Sequence, residues 1–285
     1  MTAAEALRDA ALRLKRAGVA DPARDARRLL AHALGLAPDR VTLHLNDQIG
    51  SASLEVFFAA VARREAHQPV SQITGTRAFY GHSFKVTQDT LDPRPDTEIL
   101  VTTALEQPFA RLLDLGTGTG CILLSCLAAM PQAVGTGSDL SSDALAIAKE
   151  NAGALGLVAR TCFVVSDWFT EISGRFDLIV ANPPYISEAE MADLSPDVRE
   201  WEPRLALTPG GDGLDAYRAI VQSAGAYLSP GGRLAFEIGP TQAGDVCALL
   251  HAAGFAEPQI RHDLDGRDRV LVAVWPGESG RSTAV

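Results

Sequence analysis

Apolar residues in the first part of the chain recur with the spacing of amphipathic helices. Within residues 1–65, the segments AALRLKRAGV, DARRLLAHALGL and LEVFFAAVARR place apolar side chains three and four positions apart, so that they share one helix face. Asp21 followed by Pro22 is typical of a helix start, because aspartate caps the first turn and proline fits within it. Residues 1–70 are therefore predicted to form a helical bundle, which we expect to bind a substrate protein.

The pattern changes in residues 71–91. The segment SQITGTRAFYGHSFKVTQDTL alternates aromatic and β-branched residues around Gly75 and Gly81, which favours two strands joined by a tight turn. We expect a β-hairpin that links the helical bundle to the rest of the chain.

From Arg111 onward, apolar segments typical of buried strands alternate with helical segments. The predicted strands are RLLDL, AVGTGSDL, TCFVVSD, FDLIVAN, GRLAFEIG, PQIRHD and RVLVAVW. Such alternation predicts an α/β domain in which helices cover both faces of a mostly parallel sheet. The last two strands leave no room for a helix and are expected to form an antiparallel hairpin through Gly266. We assign this domain to residues 92–276 and expect a disordered tail over residues 277–285.

Composition limits the location that we expect. Hydrophobic residues make up 47% of the 285 residues and charged residues 21%, enough to bury a large core. The sequence has no run of about 18 apolar residues, the length that a membrane span needs. The first twenty residues are charged and helical and lack the apolar segment of a secretion signal. We therefore expect a cytoplasmic protein without a membrane interaction.

The charge distribution argues against a nucleic-acid substrate. The formal net charge is −10, whereas phosphate contacts require lysine and arginine. Residues 1–75 hold ten Lys/Arg and eight Asp/Glu, but residues 76–285 hold fifteen and twenty-seven. We expect residues 76–285, which are acidic overall, to carry the chemistry. Separately, we expect the protein to act as a monomer.

Neither the cysteines nor the histidines have the spacing of a metal site. The four cysteines are Cys121, Cys126, Cys162 and Cys247. They form no C-x-x-C pair and lie in apolar segments, so we expect them to be small buried residues. The six histidines are scattered, and we predict no metal.

A glycine-rich loop directly follows the first strand of the predicted sheet. It consists of Gly116, Thr117, Gly118, Thr119 and Gly120. Glycines allow a sharp turn and let a ligand approach the backbone. Dinucleotide-binding folds use a similar loop, but here the spacing is G-x-G-x-G and Asp114 stands at the end of the strand. We expect Asp114 to orient the cationic end of a cofactor.

Acidic residues also follow the next two strands. Asp139 stands about twenty residues after the loop, where a carboxylate accepts hydrogen bonds from ribose hydroxyls. Asp167 and Trp168 follow the third strand, where an acid accepts from an adenine amino group and an aromatic ring packs on the base. Core packing is an equally good interpretation of Trp168. Together with the loop, these residues favour a nucleoside-bearing cofactor.

The fourth strand ends in the tetrapeptide Asn182-Pro183-Pro184-Tyr185. An amide nitrogen is a poor nucleophile, because its lone pair is delocalised, so it must be held with that lone pair facing the electrophile. The Asn182 side-chain oxygen and the Pro183 carbonyl can accept hydrogen bonds from its two N–H groups and stabilise the developing charge. The prolines fix the backbone, and Tyr185 supplies an aromatic wall. Asn182 and Pro183 are the predicted catalytic residues, and all four residues are predicted to bind substrate.

The DLGTGTG loop, Asp139 and NPPY resemble class I methyltransferases that act on planar-conjugated nitrogen. The segments outside this core resemble the release factor glutamine N5-methyltransferase family (HemK/PrmC type). They are Phe79-Tyr80-Gly81-x-x-Phe84-x-Val86, Pro93-Arg94-Pro95-Asp96-Thr97-Glu98, Glu202-Pro203-x-x-Ala206-Leu207, Asp212-Gly213-Leu214-x-x-Tyr217-Arg218 and Asp265-x-x-x-x-Arg269-Val270. The resemblance runs from about residue 5 to residue 275. It implies a seven-stranded, Rossmann-like methyltransferase sheet preceded by the helical bundle and the hairpin.

The resemblance also implies a reaction and its contacts. S-adenosylmethionine would donate a methyl group to the glutamine of a release factor's Gly-Gly-Gln motif and leave as S-adenosylhomocysteine. The loop 116–120, Asp139, Trp168 and Asn182 would contact the cofactor, and the segment before Arg94 would form a wall of the pocket. Two residues depart from the family pattern: Asp92 replaces an aliphatic residue and Asp96 replaces a glutamate.

Several alternatives stay open at this point. A glutamine methyltransferase of a large-subunit ribosomal protein would share NPPY but differ at PRPDTE. An adenine-N6 DNA methyltransferase would need a basic cleft. A non-catalytic cofactor-binding scaffold would have no use for NPPY. Among the outer motifs, Arg94 with Glu98 fits a helix-start ion pair, and Tyr217-Arg218 fits a plain helix face.

Overall fold

The structure is a computed structural model that describes residues 1–277. Residues 278–285, most of the expected disordered tail, lie outside the described residues. Contacts divide the chain into two units. The first comprises Met1–Thr76 together with Ser195–Trp201, and the second comprises Arg77–Leu194 together with the chain from Glu202 onward.

The described residues form eleven α-helices and nine strands. The helices are α1 (Ala3–Arg16), α2 (Pro22–Leu34), α3 (Ser51–Glu65), α4 (Val70–Thr74), α5 (Glu98–Leu105), α6 (Cys121–Ala129), α7 (Ser142–Ala154), α8 (Pro196–Arg199), α9 (Arg204–Leu207), α10 (Asp215–Tyr227) and α11 (Ala243–Ala252). Short 3-10 helices span Arg40–His44, Pro95–Thr97, Val158–Arg160 and Glu190–Asp193. The strands are β1 (Thr76–Phe79), β2 (His82–Lys85), β3 (Arg111–Leu115), β4 (Val134–Asp139), β5 (Thr161–Val165), β6 (Phe176–Ala181), β7 (Leu228–Glu237), β8 (Gln259–His262) and β9 (Asp268–Val274).

The first unit confirms the predicted helical region. Asp21 caps α2 by accepting from the Arg24 backbone N–H, and Pro22 is the first residue of that helix, as its sequence indicates. The apolar faces of α1, α2 and α3 meet in one core, whose fully buried members include Leu14, Leu29 and Phe57.

The sequence contains no signal that Ser195–Trp201 joins the helical unit. Asp197 of this segment lies 2.7 Å from Arg64, whose guanidinium also contacts Asp25 at 2.8 Å. The Trp201 indole N–H donates to the Ala66 carbonyl oxygen at 3.0 Å. Arg64 is almost fully buried, so these partners supply the charge pairing that a buried cation requires.

The second unit contains the predicted seven-stranded sheet. Its strand order is β5-β4-β3-β6-β7-β9-β8. The first five strands are parallel, and β9 is antiparallel to both of its neighbours. The prediction of a final antiparallel hairpin is thereby confirmed, with Gly266 in its turn at a φ of 79°.

Alternate residues of the strands supply two separate cores. Leu112 of β3 and Leu178 of β6 pack with α5 and α6, whereas Leu113 and Ile179 pack with α10 and α11. This alternation follows from the two-residue repeat of a strand, and it explains why the strands are apolar throughout. Helices on both faces leave the carboxyl ends of the parallel strands free to carry the polar residues.

The predicted hairpin is present but shorter than the predicted segment. Strands β1 and β2 form a two-stranded antiparallel sheet. Tyr80 and Gly81 both have positive φ values, of 46° and 77°, as tight hairpin turns require. Residues 70–74 form helix α4 instead, which ends where Gly75 adopts a φ of 77°.

Burial agrees with the prediction for two of the cysteines. Cys121 and Cys126 are buried on α6, Cys247 is half-buried, and Cys162 is exposed. The prediction was wrong for Cys162 because β5 is an edge strand, where side chains are covered less completely. Among residues 1–277, no helix is long and apolar enough to cross a membrane. The same residues contain no group of three or more His, Cys, Asp or Glu placed to hold a metal ion.

Candidate active site

A cavity of about 350 Å³ lies in the second unit at the carboxyl ends of β3, β4 and β6, the edge where sheets of this kind bind ligands. The predicted residues that line it are Gly116, Thr117, Gly118, Thr119, Asp139, Asp167, Trp168, Asn182 and Pro184. Those that do not line it are Asp114, Gly120, Pro183 and Tyr185. The structure therefore brings the glycine loop, the strand-end acids and the amide motif around one cavity.

The loop between β3 and α6 depends on glycine at three positions. Gly116, Gly118 and Gly120 have φ values of 67°, 53° and 78°, in the left-handed region that favours glycine. A Cβ atom at Gly120 would lie 3.1 Å from Leu124 and 3.3 Å from Ala148, so Gly120 is required for close packing. At Gly116 and Gly118 a Cβ atom would meet no described atom within 4 Å. Those two glycines leave open space beside the backbone that lines the cavity.

Asp139 at the end of β4 holds this loop in place. Its Oδ2 atom accepts from the Gly118 N–H and its Oδ1 atom from the Ser141 N–H, each at 2.9 Å. Burial raises the pKa of Asp139, although the hydrogen bonds from these backbone groups oppose the rise. A carboxylate offers about four acceptor positions, so both oxygens can still accept from a ligand in the cavity.

Asp114 lies beneath the loop. Its side chain is fully buried, and Oδ2 accepts from the Thr117 hydroxyl at 2.6 Å. Within the described residues Oδ1 has no hydrogen-bond partner. Burial raises the pKa of Asp114 to about 7, against the opposing effect of the Thr117 hydrogen bond. The observed hydrogen bond of Asp114 is with Thr117 of the loop.

Asp167 and Trp168 follow β5, and both line the cavity. Trp168 has a φ of 47°, which is unusual for a bulky residue and costs free energy unless its surroundings enforce it. The Ser166 hydroxyl donates to the Trp168 carbonyl oxygen at 2.9 Å. The indole packs on the core and also lines the cavity, so both interpretations of Trp168 describe part of its position.

Asn182 follows β6 directly and lines the cavity with its side chain held at one end. Its Nδ2 atom donates to the Thr97 hydroxyl oxygen at 3.3 Å. The two ends of a carboxamide have the same shape, so their orientation is assigned from hydrogen-bond partners. Thr97 accounts for the nitrogen, which leaves the Oδ1 oxygen as the end available to accept from a ligand.

The rest of the motif is held from below. The Gln242 side chain donates to the Tyr185 carbonyl oxygen at 2.9 Å. Gly213 packs against the same carbonyl, where a Cβ atom would come within 2.4 Å of the oxygen. The Tyr185 hydroxyl lies 3.5 Å from Glu237, and burial raises the pKa of Tyr185. Pro183 is buried, so the turn after β6 is fixed on several sides.

Sequence reasoning missed Thr97 and Glu237. Glu237 ends β7, next to β6, and is almost fully buried. Burial raises its pKa to about 7, while Thr97 and Arg269 act in the opposite direction. Tyr217 supports the same position by donating to the Glu237 carbonyl oxygen at 2.9 Å. The available signal was the single acid that ends the apolar segment GRLAFE, the feature that identified Asp139.

Arg94 does not pair with Glu98. Its Nη2 atom lies 2.6 Å and 2.7 Å from the two carboxylate oxygens of Glu202, while Glu98 accepts from the Tyr80 backbone N–H. The alternative interpretation of Arg94 and Glu98 as a helix-start ion pair is wrong, since the Arg94 side chain contacts Glu202, which directly follows Trp201. Burial raises the pKa of Glu202 to about 7, against the opposing charge of Arg94.

The two departures from the family pattern have different surroundings. Asp92 is buried and lies 3.6 Å from Arg77, and its Oδ1 atom has no partner among the described residues. Asp96 lies 3.2 Å from Arg269. Neither carboxylate lines the cavity.

Tyr217 and Arg218, the remaining pair of the outer motifs, differ in their surroundings. Arg218 is an exposed helix residue paired with Asp212 and Asp215, so the plain helix face was a correct interpretation for it. Tyr217 is instead fully buried beneath β7.

Comparisons with known proteins agree with these observations. The family models that match are the PrmC N-terminal domain, over residues 5–75, and the methyltransferase small domain, over residues 86–197. The chain is 56% identical over 276 residues to the release factor glutamine methyltransferase of Cereibacter sphaeroides, spanning 97% of this chain and 99% of that protein. It is 47% identical over 266 residues to the release factor glutamine methyltransferase of Rhodospirillum rubrum, spanning 92% and 82%.

Among solved structures, a methyltransferase from Pyrococcus furiosus is similar with a TM-score of 0.54. It is 16% identical and covers 77% of this chain and 98% of that one. At this identity the likeness is one of fold.

Proposed function

Since the chain belongs to the release factor glutamine methyltransferase family, we propose that it methylates the side-chain amide nitrogen of a glutamine in peptide chain release factors. The methyl donor would be S-adenosylmethionine, S-adenosylhomocysteine the second product, and the target the glutamine of the Gly-Gly-Gln motif. The observation that carries this proposal is the orientation of Asn182 beside the cavity. Its nitrogen is held by Thr97, so its oxygen is available to accept from a substrate amide.

The residues around the cavity fit the proposed cofactor. Gly116 and Gly118 form a cradle that a Cβ atom would fill, suited to the methionine part of the molecule. Asp139 retains acceptor capacity for ribose hydroxyls, and Asp167 and Trp168 suit an adenine. S-adenosylmethionine supplies a methyl group bound to a sulfonium sulfur. The sulfur leaves as a neutral thioether, which makes the methyl group reactive enough for attack by an amide. We assign Asp114 a supporting role, through Thr117, in holding the loop.

The amide motif would bind and orient the substrate. The Asn182 oxygen and the Pro183 carbonyl would accept hydrogen bonds from the two N–H groups of the glutamine amide, which positions its lone pair. As the nitrogen gains positive charge, the same two oxygens would stabilise it, so no base is needed before the attack. The nitrogen would lose its extra proton after the methyl group has moved from the sulfonium, which leaves as the neutral thioether of S-adenosylhomocysteine. Pro184 lines the cavity beside them, and Tyr185 would limit the space for the planar amide.

The proposal extends to the partners, the location and the oligomeric state of the protein. The helical unit would contribute to binding the release factor. The protein would act as a monomer in the cytoplasm and bind neither membranes nor nucleic acid. The net charge of −10 supports the last point, because an acidic protein repels a polyanion.

The direct test is to incubate the purified protein with S-adenosylmethionine labelled in its methyl group. Separate reactions contain a release factor, the same factor with the glutamine of Gly-Gly-Gln changed to alanine, a ribosomal extract, and duplex DNA. We expect label on the unaltered release factor alone. Label on a ribosomal protein or on DNA would assign the chain to one of the alternatives, and equal label on the alanine variant would place the methyl group elsewhere.

A further inference from the structure

We propose that Arg94 is a substrate-binding residue that holds a peptide carbonyl oxygen beside the glutamine to be methylated. This inference rests on the proposed function and deepens it, because it adds a contact to the peptide backbone. Arg94 lines the cavity, but the amide motif and the glycine loop account for the reaction without it.

The guanidinium of Arg94 is held at one nitrogen only. Nη2 contacts both carboxylate oxygens of Glu202, at 2.6 Å and 2.7 Å. The Glu202 side chain is 1% exposed, whereas that of Arg94 is 36% exposed. A buried carboxylate thus fixes the direction of a guanidinium that remains accessible on its other side.

The other two nitrogens of Arg94 are available. Within residues 1–277, Nε and Nη1 of this side chain have no hydrogen-bond partner. A guanidinium presents its N–H groups in a rigid planar fork. Because the ion pair already orients that fork, little side-chain entropy remains to be lost when an acceptor binds. The arrangement is therefore a preformed donor site at the cavity.

The charge balance indicates the kind of acceptor. Because Glu202 already neutralises Arg94, a second carboxylate would bind this guanidinium more weakly than it would bind an unpaired cation. An uncharged carbonyl oxygen matches the free N–H groups better, and a peptide supplies one at every residue.

The location favours the substrate over the cofactor. Arg94 is close enough to Tyr185 for its charge to oppose the rise in the pKa of that hydroxyl. Thr97, which contacts Asn182, lies three residues farther along the chain. Arg94 and Thr97 both line the cavity. Arg94 therefore belongs to the same short segment as the residue that holds Asn182, which is expected to accept from the substrate amide.

The test replaces Arg94→Lys, which keeps the positive charge for Glu202 but removes the planar pair of donors. A hydrogen bond from a charged donor contributes about 1.5 to 3 kcal/mol, so we expect the KM for the release factor to rise roughly 10- to 100-fold. The dissociation constant for S-adenosylmethionine, measured by calorimetry, should stay within about twofold of the wild-type value. The matched control is Arg218→Lys, an exposed arginine that is also paired with carboxylates and does not line the cavity; its KM should not change.

The measurements on Arg94→Lys distinguish a substrate contact from a purely structural ion pair and from a cofactor contact. A KM for Arg94→Lys equal to that of the wild type would overturn the proposal, because the ion pair alone would then explain Arg94. Weaker cofactor binding by the same factor as the rise in KM would also overturn it, since Arg94 would then hold the carboxylate of S-adenosylmethionine. A wild-type protein that fails to methylate any release factor would overturn the proposed function, and this inference with it.

Discussion

The two halves of the candidate active site are built in different ways. In the half that carries the glycine loop, the Asp139 side chain fixes the backbone by accepting from the N–H groups of Gly118 and Ser141. In the half that carries NPPY, Thr97 holds the side chain of Asn182, and Gln242 donates to the Tyr185 carbonyl oxygen. The first half needs open backbone for a cofactor, whereas the second must fix one carboxamide for a reaction. Substitutions in the first half should therefore weaken cofactor binding, and substitutions in the second should lower the rate.

The largest expected effect follows from Asn182→Ala. It removes one of the two acceptors that position and stabilise the reacting amide, a kind of loss that lowers kcat by about 10²- to 10³-fold. Rapid-quench assays with labelled S-adenosylmethionine and a release factor would measure it. If kcat is within a few-fold of the wild-type value and only cofactor binding weakens, the division between the halves is wrong.

Next in size is Gly118→Ala, which places a methyl group beside the cavity at a φ of 53°. We expect the dissociation constant for S-adenosylmethionine to rise by about 10-fold or more, because the added methyl group occupies space where the cofactor is expected. A 10-fold rise corresponds to a loss of about 1.4 kcal/mol in binding free energy. Gly156→Ala is the matched control, since Gly156 has a φ of 69°, meets no described atom within 4 Å and lies outside the cavity. Both variants should lose similar stability, but Gly156→Ala should bind the cofactor normally. Equal affinities would show that Gly118 matters only for folding.

A smaller change is expected for Thr97→Val, which keeps the shape of the side chain and removes the oxygen that accepts from Asn182. With neither end of the carboxamide held, both orientations become populated and kcat should fall about 3- to 10-fold, the effect of one ordinary hydrogen bond. Thr97→Ser retains the hydroxyl and should recover most of the rate. The idea fails if the serine and valine variants have the same kcat.

The last prediction concerns the stability of the fold and its dependence on pH, with no change expected in the chemistry of the site. The pKa of Asp114 is raised to about 7 by burial in the folded protein and is about 3.9 in an unfolded chain. Between about pH 4 and pH 7 the unfolded state releases this proton first, so the carboxyl group lowers the free energy of unfolding as pH rises. Asp114→Asn removes that penalty. Relative to the wild type, the free energy of unfolding of the variant, measured in urea, should rise by about 2 to 3 kcal/mol between pH 5 and pH 8. A difference that does not change with pH would contradict this prediction.

The two halves of the site also differ in how far the sequence predicts them. Gly116, Gly118 and Asp139 were predictable because their roles follow from local chain geometry at the end of a strand. The apolar segments likewise predict the strands, and the short gap at Gly266 predicts the final hairpin. Each of these features depends on residues that are close together in the sequence.

Contacts between distant segments were not predictable in the same way. Thr97 lies 85 residues from Asn182, and Arg94 lies 108 residues from Glu202. No local pattern indicates which partner such a side chain will meet, and the sequence suggested the nearby Glu98 for Arg94. The burial of Asp114 shows the same limit, because the side on which a strand-end acid points depends on the packing around it.

The proposed role of Asn182 and Pro183 is to hold a glutamine side-chain amide for methylation. Fragmentation mass spectrometry can locate the methyl group on a release factor after reaction with the purified protein and S-adenosylmethionine. We predict one added methyl group on the side-chain nitrogen of the Gly-Gly-Gln glutamine, and none after reaction with the Asn182→Ala variant over the same time. A methyl group on any other residue, or equal methylation by the variant, would show that Asn182 and Pro183 do not hold this amide.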